Sequence, residues 1–282
     1  MKIVSIGLGL IGGSFALCLR RIFPNAEILG IDKSDAHISE AKSIGIIEDA
    51  ATKKDIASAN LVVLSVPVDV ANTQIMSLLD QISEDCLVVD MGSTKSSICQ
   101  LVAKHTKRAQ FLAMHPIAGT EFSGPKAALA NLFDHQLMIL CEVEKTRPEL
   151  VEKMEAILAE IPMNLRYMDA AAHDKHLAYV SHLSHVSSFM LGKTVLDLEK
   201  DEREIFYLAG SGFASTVRLA KSNPRTWAAI FSENKEAVLT SLKEYIENLK
   251  NFQELLENND FANLELQLKE TQRIKEVLKK EK

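Results

Sequence analysis

No Cys-x-x-Cys pair occurs in this chain, whose four cysteines, Cys18, Cys86, Cys99 and Cys141, stand far apart. They read as reduced, partly buried thiols and point to the cytoplasm. Positive charge is not in excess either. Lys and Arg total 32 against 38 Asp and Glu, a formal net charge of −6, and the basic residues are scattered. A phosphate backbone demands a positive stripe, so nucleic acid is excluded as a partner. No segment supplies the roughly 20 consecutive apolar residues of a membrane helix. Lys2 and the apolar run to Leu19 superficially resemble a secretory signal. Four glycines at fixed offsets interrupt that run, however, and no small-residue cleavage pattern precedes Arg20-Arg21. The expectation is a cytoplasmic protein that does not contact the membrane.

At 282 residues the chain has room for two domains. It opens on a short β-branched strand, Lys2 to Ile6, that runs into Gly7, Leu8, Gly9, Leu10, Ile11 and Gly12, then into a segment of helical character. In such a Gly-x-Gly-x-x-Gly turn the first glycine permits the tight bend and the second lets a pyrophosphate approach the backbone. The third allows close packing of helix on strand. The helix N-terminus then offers unpaired N–H groups and a positive dipole end to phosphates. A second strand, Glu27 to Ile31, leads to Asp32, an acid 20 residues after Gly12. A carboxylate there accepts hydrogen bonds from ribose hydroxyls and repels a 2′-phosphate. The expected cofactor is therefore NAD rather than NADP, with Lys33 next door as the contrary sign.

Ser34 has the position of a helix N-cap and Gly45 that of a helix stop. Asn60 to Pro67 and Cys86 to Met91 are continuous apolar runs of the kind a doubly covered parallel strand requires. The end of the first, Ser65, Val66 and Pro67, is expected to pass beneath the cofactor. The second opens into Gly92-Ser93-Thr94-Lys95-Ser96. Phe111 to His115 reads as a buried strand stopped at Pro116, and Gly119 allows a turn. Open α/β sheets present ligands at the carboxyl ends of their strands. A histidine there, of unperturbed pKa near 6.5, suits proton transfer near neutrality. His115 is thus a candidate base or a turn-capping residue, and Ser93, leaving a neighbouring strand, a second active group or a plain N-cap. Further strands at His135–Cys141 and Asn164–Met168 flank a helix over about 147–161. The predicted fold is α/β: a Rossmann-like, doubly wound parallel sheet over residues 1–168, followed by an all-α domain over 169–282.

The first helix after Met168 carries His173, His176, His182 and His185. Helical spacing puts pairs of them on one face. Only Asp174 stands close as a further ligand, and one helix gives no tetrahedral closure, so no metal is expected. His182 and His185 either point into a polar cleft or are satisfied structural histidines. Arg218, after the glycine-containing stretch Leu208–Thr216, is either an ion-pair partner or a bidentate clamp for a substrate carboxylate. Val238, Leu242, Tyr245, Leu249, Phe252 and Leu256 alternate steps of 4 and 3. That narrow seam suits pairing of helices, in a symmetric dimer or within one chain.

Taken together, Gly7–Ser14, Asp90–Lys95, Met114–Glu121, Ser181–His185 and Gly212–Arg218 resemble prephenate dehydrogenases, in order and spacing along essentially the whole chain. The His-Pro-x-x-Gly-Thr-Glu element carries the resemblance; the glycine motif alone does not. The resemblance implies NAD-dependent oxidative decarboxylation of prephenate to 4-hydroxyphenylpyruvate, a step of tyrosine biosynthesis, or of arogenate to tyrosine. It implies that His115 accepts the proton of the ring hydroxyl and that Ser93 bonds the same hydroxyl and helps orient His115. By the same resemblance Arg218 holds a substrate carboxylate, His185 the polar side-chain end with His182 nearby, Thr120 lines the pocket, and Glu121 and Asp174 gate the cleft. Some relatives carry lysine at the position of Ala214, which throws more of the carboxylate binding onto Arg218. A homodimer through the helical domain is implied as well. The rival readings are a β-hydroxyacid dehydrogenase, which relies on a lysine in its helical part, and a non-catalytic NAD-sensing dimer, which has no need of Ser93, His115 and Arg218 together.

Overall fold

Apolar stretches alternating with amphipathic ones fold into strands and helices in turn. In the computed structural model, which describes residues 1–120, 122–199 and 203–278, the first half of the chain forms β1 (Lys2–Ile6), α1 (Leu10–Ile22), β2 (Glu27–Ile31), α2 (Asp35–Ser43), β3 (Asp49–Ala50), α3 (Lys53–Ala57) and β4 (Leu61–Leu64). There follow α4 (Val68–Gln81), β5 (Leu87–Asp90), α5 (Ser96–Val102), β6 (Phe111–Ile117), β7 (Leu137–Cys141), α6 (Pro148–Ala159) and β8 (Asn164–Met168). The eight strands make one sheet in the order β3-β2-β1-β4-β5-β6-β7-β8. The winding reverses between β1 and β4, and their carboxyl ends diverge there into the crevice where such sheets bind ligands.

Side chains alternate between two layers, as a strand period of two requires. Ile3, Val63 and Val89 face Phe15 and Leu19 of α1 and Met154 of α6. Val4, Val62 and Val88 face Ile75 and Leu79 of α4 and Ile98 of α5. With both faces covered, every residue of β4 and β5 is buried, which accounts for their unbroken apolar runs.

The structure departs from the sequence expectation at β6 and β7. β7 runs antiparallel to β6, whereas an all-parallel sheet was expected. Among the described residues between them the only regular element is a 3-10 turn at Pro125–Ala127. A parallel return needs a helix-sized crossover, so the strand comes back beside its predecessor in the opposite sense. β6 also continues past Pro116, pairing Pro116 with Met138 and Ile117 with Leu137. Pairing with β5 has already ended at Ala113. Proline lacks only an N–H, which a strand with a free side does not require. The short β3 and α3 were not foreseen.

After Met168 the described residues contain no strand. Asp169 caps α7 (Ala170–Leu177) by accepting from Ala171 N and Ala172 N. A wider, π-type turn over Ala178–His182 joins it to α8 (Leu183–Glu199). α9 (Ser211–Thr216) and α10 (Pro224–Glu233) follow. Ala229 and Ile230 of α10 pack on Val68 of α4, and Asn72 Nδ2 donates to Glu233 Oε2 (2.5 Å). These elements complete a compact unit, Met1–Lys235. A second unit, Glu236–Lys282, holds α11 (Lys235–Glu257) apart from its first residue, α12 (Phe261–Thr271) and α13 (Ile274–Val277). Leu249, Phe252, Leu256, Phe261 and Leu268 are exposed along it. Among the described residues no helix is long and apolar enough to cross a membrane.

Candidate active site

The glycine turn separates into two kinds of position. Gly7 has φ +91°, and a Cβ on it would lie 2.6 Å from Ser65 O. A Cβ on Gly12 would meet Gly7 O at 2.0 Å. Ser65 Oγ fastens the same spot by donating to Gly7 O (2.9 Å), where β4 ends and Val66 and Pro67 lead into α4. These glycines are demanded by the protein's own packing. Gly9 is different: nothing lies within 4 Å of its Cβ position. It caps α1 without a side-chain bond, and no acid stands in the first turn, where Leu10 and Ile11 are half-buried. Open space before an uncapped, acid-free helix N-terminus suits a pyrophosphate. Asp32 Oδ2 accepts from Leu8 N (3.0 Å) and Oδ1 from Ser34 N (3.0 Å). A carboxylate has about four acceptor positions, so capacity remains for ribose hydroxyls. These residues fit NAD. Gly9→Ala is expected to leave the melting temperature unchanged and weaken NAD binding. Gly12→Ala is expected to cost about 1–3 kcal/mol of stability through overpacking. Calorimetric melting and NAD titration of the two variants check this contrast.

The carboxyl ends of β5 and β6, paired in parallel through Asp90 and Ala113, bring the Ser93 loop beside His115. His115 is buried, and its Nδ1 lies 2.8 Å from His173 Nε2. His173 Nδ1 in turn lies 2.7 Å from Asp174 Oδ1. Asp174 Oδ1 also accepts from Lys95 N (2.8 Å) and Oδ2 from Ser96 N (2.8 Å). The Lys95 side chain, fully buried, pairs with Asp90 and donates to Met114 O (2.8 Å). Burial pushes the His115 imidazole well below its usual pKa, and neighbouring His173, Lys95 and His182 add to the shift. Burial likewise lowers His173, against the opposing bond to Asp174. For Asp174 burial acts upward, but the bonds from His173, Ser96 N and Lys95 N outweigh it and hold the carboxyl below its usual range.

Along the same helix, His182 is buried and pushed down to about 4 by desolvation. Asn234 Nδ2 bonds both its Nδ1 (3.1 Å) and Asp174 O (2.7 Å). His185 stacks on Trp227, ring centroids 3.3 Å apart at 21°. Burial lowers its pKa, the bond to Ser181 O opposes that, and the Arg218 guanidinium lowers it further. Ser188, one turn along α8, donates to Thr216 O (3.0 Å) and accepts from Ala220 N (3.0 Å). That pins the 3-10 turn Arg218–Lys221, leaving Arg218 exposed near His185. Thr120 is exposed, and its Oγ1 accepts from Phe122 N (3.3 Å). Glu121 lies outside the described residues.

Comparison with known proteins accords with this geometry. The family model for the prephenate dehydrogenase nucleotide-binding domain matches residues 15–166, and that for the prephenate dehydrogenase dimerization domain matches residues 169–270. This chain belongs to the prephenate dehydrogenase family. Among its relatives, the prephenate dehydrogenase of Bacillus subtilis is 30% identical over 93% of this chain and 72% of its own length. The cyclohexadienyl dehydrogenase of Zymomonas mobilis is 32% identical over 98% of this chain and 96% of its own. The crystal structure of A. aeolicus prephenate dehydrogenase, in complex with hydroxyphenyl propionate and NAD+, aligns with a TM-score of 0.87 at 30% identity. That alignment covers 99% of this chain and 98% of the other.

The geometry bears on two roles implied by resemblance to prephenate dehydrogenases. Asp174 was expected to gate the cleft. It is only 3% exposed and both its oxygens are engaged, so in this structure it anchors the Lys95-Ser96 backbone to α7. Ser93, which the resemblance implies helps orient His115, is half-buried in the loop after β5, and the inward nitrogen of the His115 ring is taken by His173. Sequence reasoning missed Lys95, His173, Trp227 and Asn234 as members of this cluster. The adjacent His173-Asp174 pair was the visible cue for one of them. Trp227, the chain's one tryptophan, gave no periodic signal.

Proposed function

We propose that this chain catalyses the NAD-dependent oxidative decarboxylation of prephenate to 4-hydroxyphenylpyruvate, with His115 as the proton acceptor. The supporting observation is a buried imidazole near the carboxyl end of β6, its pKa pushed down by burial, on the ligand-binding edge of a sheet whose glycine turn fits a dinucleotide. Bound NAD supplies the hydride acceptor. His115 Nε2 takes the proton of the ring hydroxyl, and Ser93 meets the same hydroxyl from the neighbouring strand end. Expulsion of CO2 then restores an aromatic ring, for which no separate acid is needed, and the proton held at Nε2 is available to the phenolate oxygen. Arg218 clamps a carboxylate, the stacked His185 and Trp227 wall the side-chain end, His182 supports that wall, and Thr120 lines the rim. Alignment of the reacting groups supplies most of the remaining acceleration.

The working division of labour is a cofactor-binding part up to Met168 and a substrate-binding and dimer-forming part from Asp169. The apolar row left exposed on α11 and α12, with Leu249, Phe252, Leu256, Phe261 and Leu268, supports a homodimer formed through it. Four buried free thiols support a cytoplasmic setting.

NADH formation with prephenate and with arogenate, each with NAD and NADP, tests the reading. Turnover with prephenate and NAD is expected, and its absence overturns the assignment. The cyclohexadienyl dehydrogenase relative makes arogenate turnover the second arm of that assay. Arg218→Ala is expected to raise KM for prephenate roughly tenfold, the loss of one charge-assisted contact by an exposed cation, with a smaller change in kcat. A change confined to the melting temperature would assign Arg218 to stability instead.

A further inference from the structure

The cluster behind His115 fixes where its hydrogens lie. Asp174 Oδ1 and Oδ2 face the backbone N–H groups of Lys95 and Ser96. Those groups only donate, and together with the bond to His173 they hold the Asp174 carboxyl below its usual range, so the side chain is a carboxylate. His173 Nδ1, 2.7 Å from the same Oδ1, must then carry a hydrogen. His173 has no exposed surface and lies close to the buried Lys95 ammonium, both of which favour its neutral form. In a neutral imidazole with Nδ1–H, Nε2 holds a lone pair. His115 Nδ1, 2.8 Å from that lone pair, must therefore be the donor. A neutral His115 with Nδ1–H keeps its own lone pair at Nε2.

We propose that His173 and Asp174 are positioning residues that lock His115 into the Nδ1–H tautomer, the form whose Nε2 accepts a proton. The inference rests on the assignment of His115 as the base. It gives the orienting role to a buried imidazole on α7. The arrangement follows the logic by which a carboxylate sets an imidazole's tautomer in hydrolytic triads, with one more ring interposed. When Nε2 takes the proton, the substrate O–H bond breaks and an N–H bond forms. The new imidazolium still donates through Nδ1 to His173 Nε2, and the Asp174 carboxylate lies on the far side of that ring. Without His173 the Nδ1 hydrogen loses its acceptor. The ring is then free to adopt the Nε2–H form, which presents a donor where an acceptor is needed. The same carboxylate holds the backbone just after Ser93, so base and loop share one anchor.

His173→Gln and His173→Asn separate positioning from packing. Gln keeps an amide oxygen reaching toward His115 Nδ1. Asn keeps a donor toward Asp174 and stops short of His115. Long-range 1H–15N spectra of the full chain labelled with 15N-histidine read the tautomer, with the His115 signal identified by its loss in His115→Asn. We expect Nδ1–H at His115 in the wild type and in His173→Gln, and Nε2–H in His173→Asn. We expect kcat to fall about 100-fold in His173→Asn, as for a base held in the wrong tautomer, and less than about tenfold in His173→Gln, with KM little changed in either. Nε2–H at His115 in the wild type overturns the proposal, as does an equal loss of kcat in the two variants. The wild-type spectrum decides the tautomer even where a variant does not fold. A wild type that shows Nδ1–H yet turns over no prephenate overturns the functional assignment alone.

Discussion

His115→Asn is expected to lower kcat by about 10²–10⁴-fold, the range for loss of a positioned general base, while NAD affinity stays within about twofold of wild type. Asparagine retains a polar group of similar reach toward His173 but offers no lone pair of imidazole basicity to the ring hydroxyl. The dinucleotide features are Gly9, Asp32 and the start of α1, at β1 and β2, whereas His115 is on β6, beyond β4 and β5. Rapid-mixing kinetics and NAD titration measure the two quantities separately. Turnover close to wild type would remove His115 as the proton acceptor. The pH profile gives an independent check. A base works deprotonated, so activity falls as pH drops through its pKa. Burial, reinforced by His173, Lys95 and His182, sets that value well below 6.5. The acid limb of kcat/KM attributable to His115 should accordingly lie below the pH at which an exposed histidine titrates.

Lys95→Met is expected to destabilise the fold by about 3–5 kcal/mol, the cost of leaving one member of a buried ion pair without its partner. Lys95 and Asp90 side chains are 0% and 2% exposed. Without the ammonium, Asp90 keeps the Gly92 N–H (3.1 Å) but no counter-charge. Lys95 also reaches Met114 O (2.8 Å), directly before His115, so the ion pair ties the loop carrying Ser93 to the strand carrying the base. Denaturant titration should show the loss, and adding Asp90→Asn should recover much of it, because the orphaned charge is then gone. A single substitution within about 0.5 kcal/mol of wild type would mean that water or another cation reaches Asp90.

Local patterns made the sheet legible. The apolar runs of β1, β2, β4 and β5 and the glycine spacing are set by what each segment must bury and by how closely α1 must approach β4, and both constraints are written within a few residues. That the strands leading to Ser93 and His115 lie side by side was legible because consecutive strands tend to pair, and β5 does pair with β6. The direction of β7 was not legible, since nothing in its composition distinguishes a parallel from an antiparallel partner; the lack of a crossover helix decides it. The partners of His115 were hidden for a different reason. His173 lies 58 residues further along, on a helix whose other histidines include the exposed His176, so its burial depends on tertiary packing. Lys95 was passed over because lysine belongs at surfaces unless an acid accompanies it inward, and Asp90 is that acid.

The π-type turn over Ala178–His182 carries a consequence for how this helix tolerates change. It offsets the angular phase between His173 upstream and His185 and Ser188 downstream. A π-type turn houses one residue more than an α-helical turn, so deleting a single amino acid from it would let an ordinary turn close with the ring that rests on Trp227 and the turn that bears Arg218 kept in phase, whereas a further insertion would swing everything beyond Leu183 by about 100°. This stretch therefore tolerates the loss of one residue better than the gain of one.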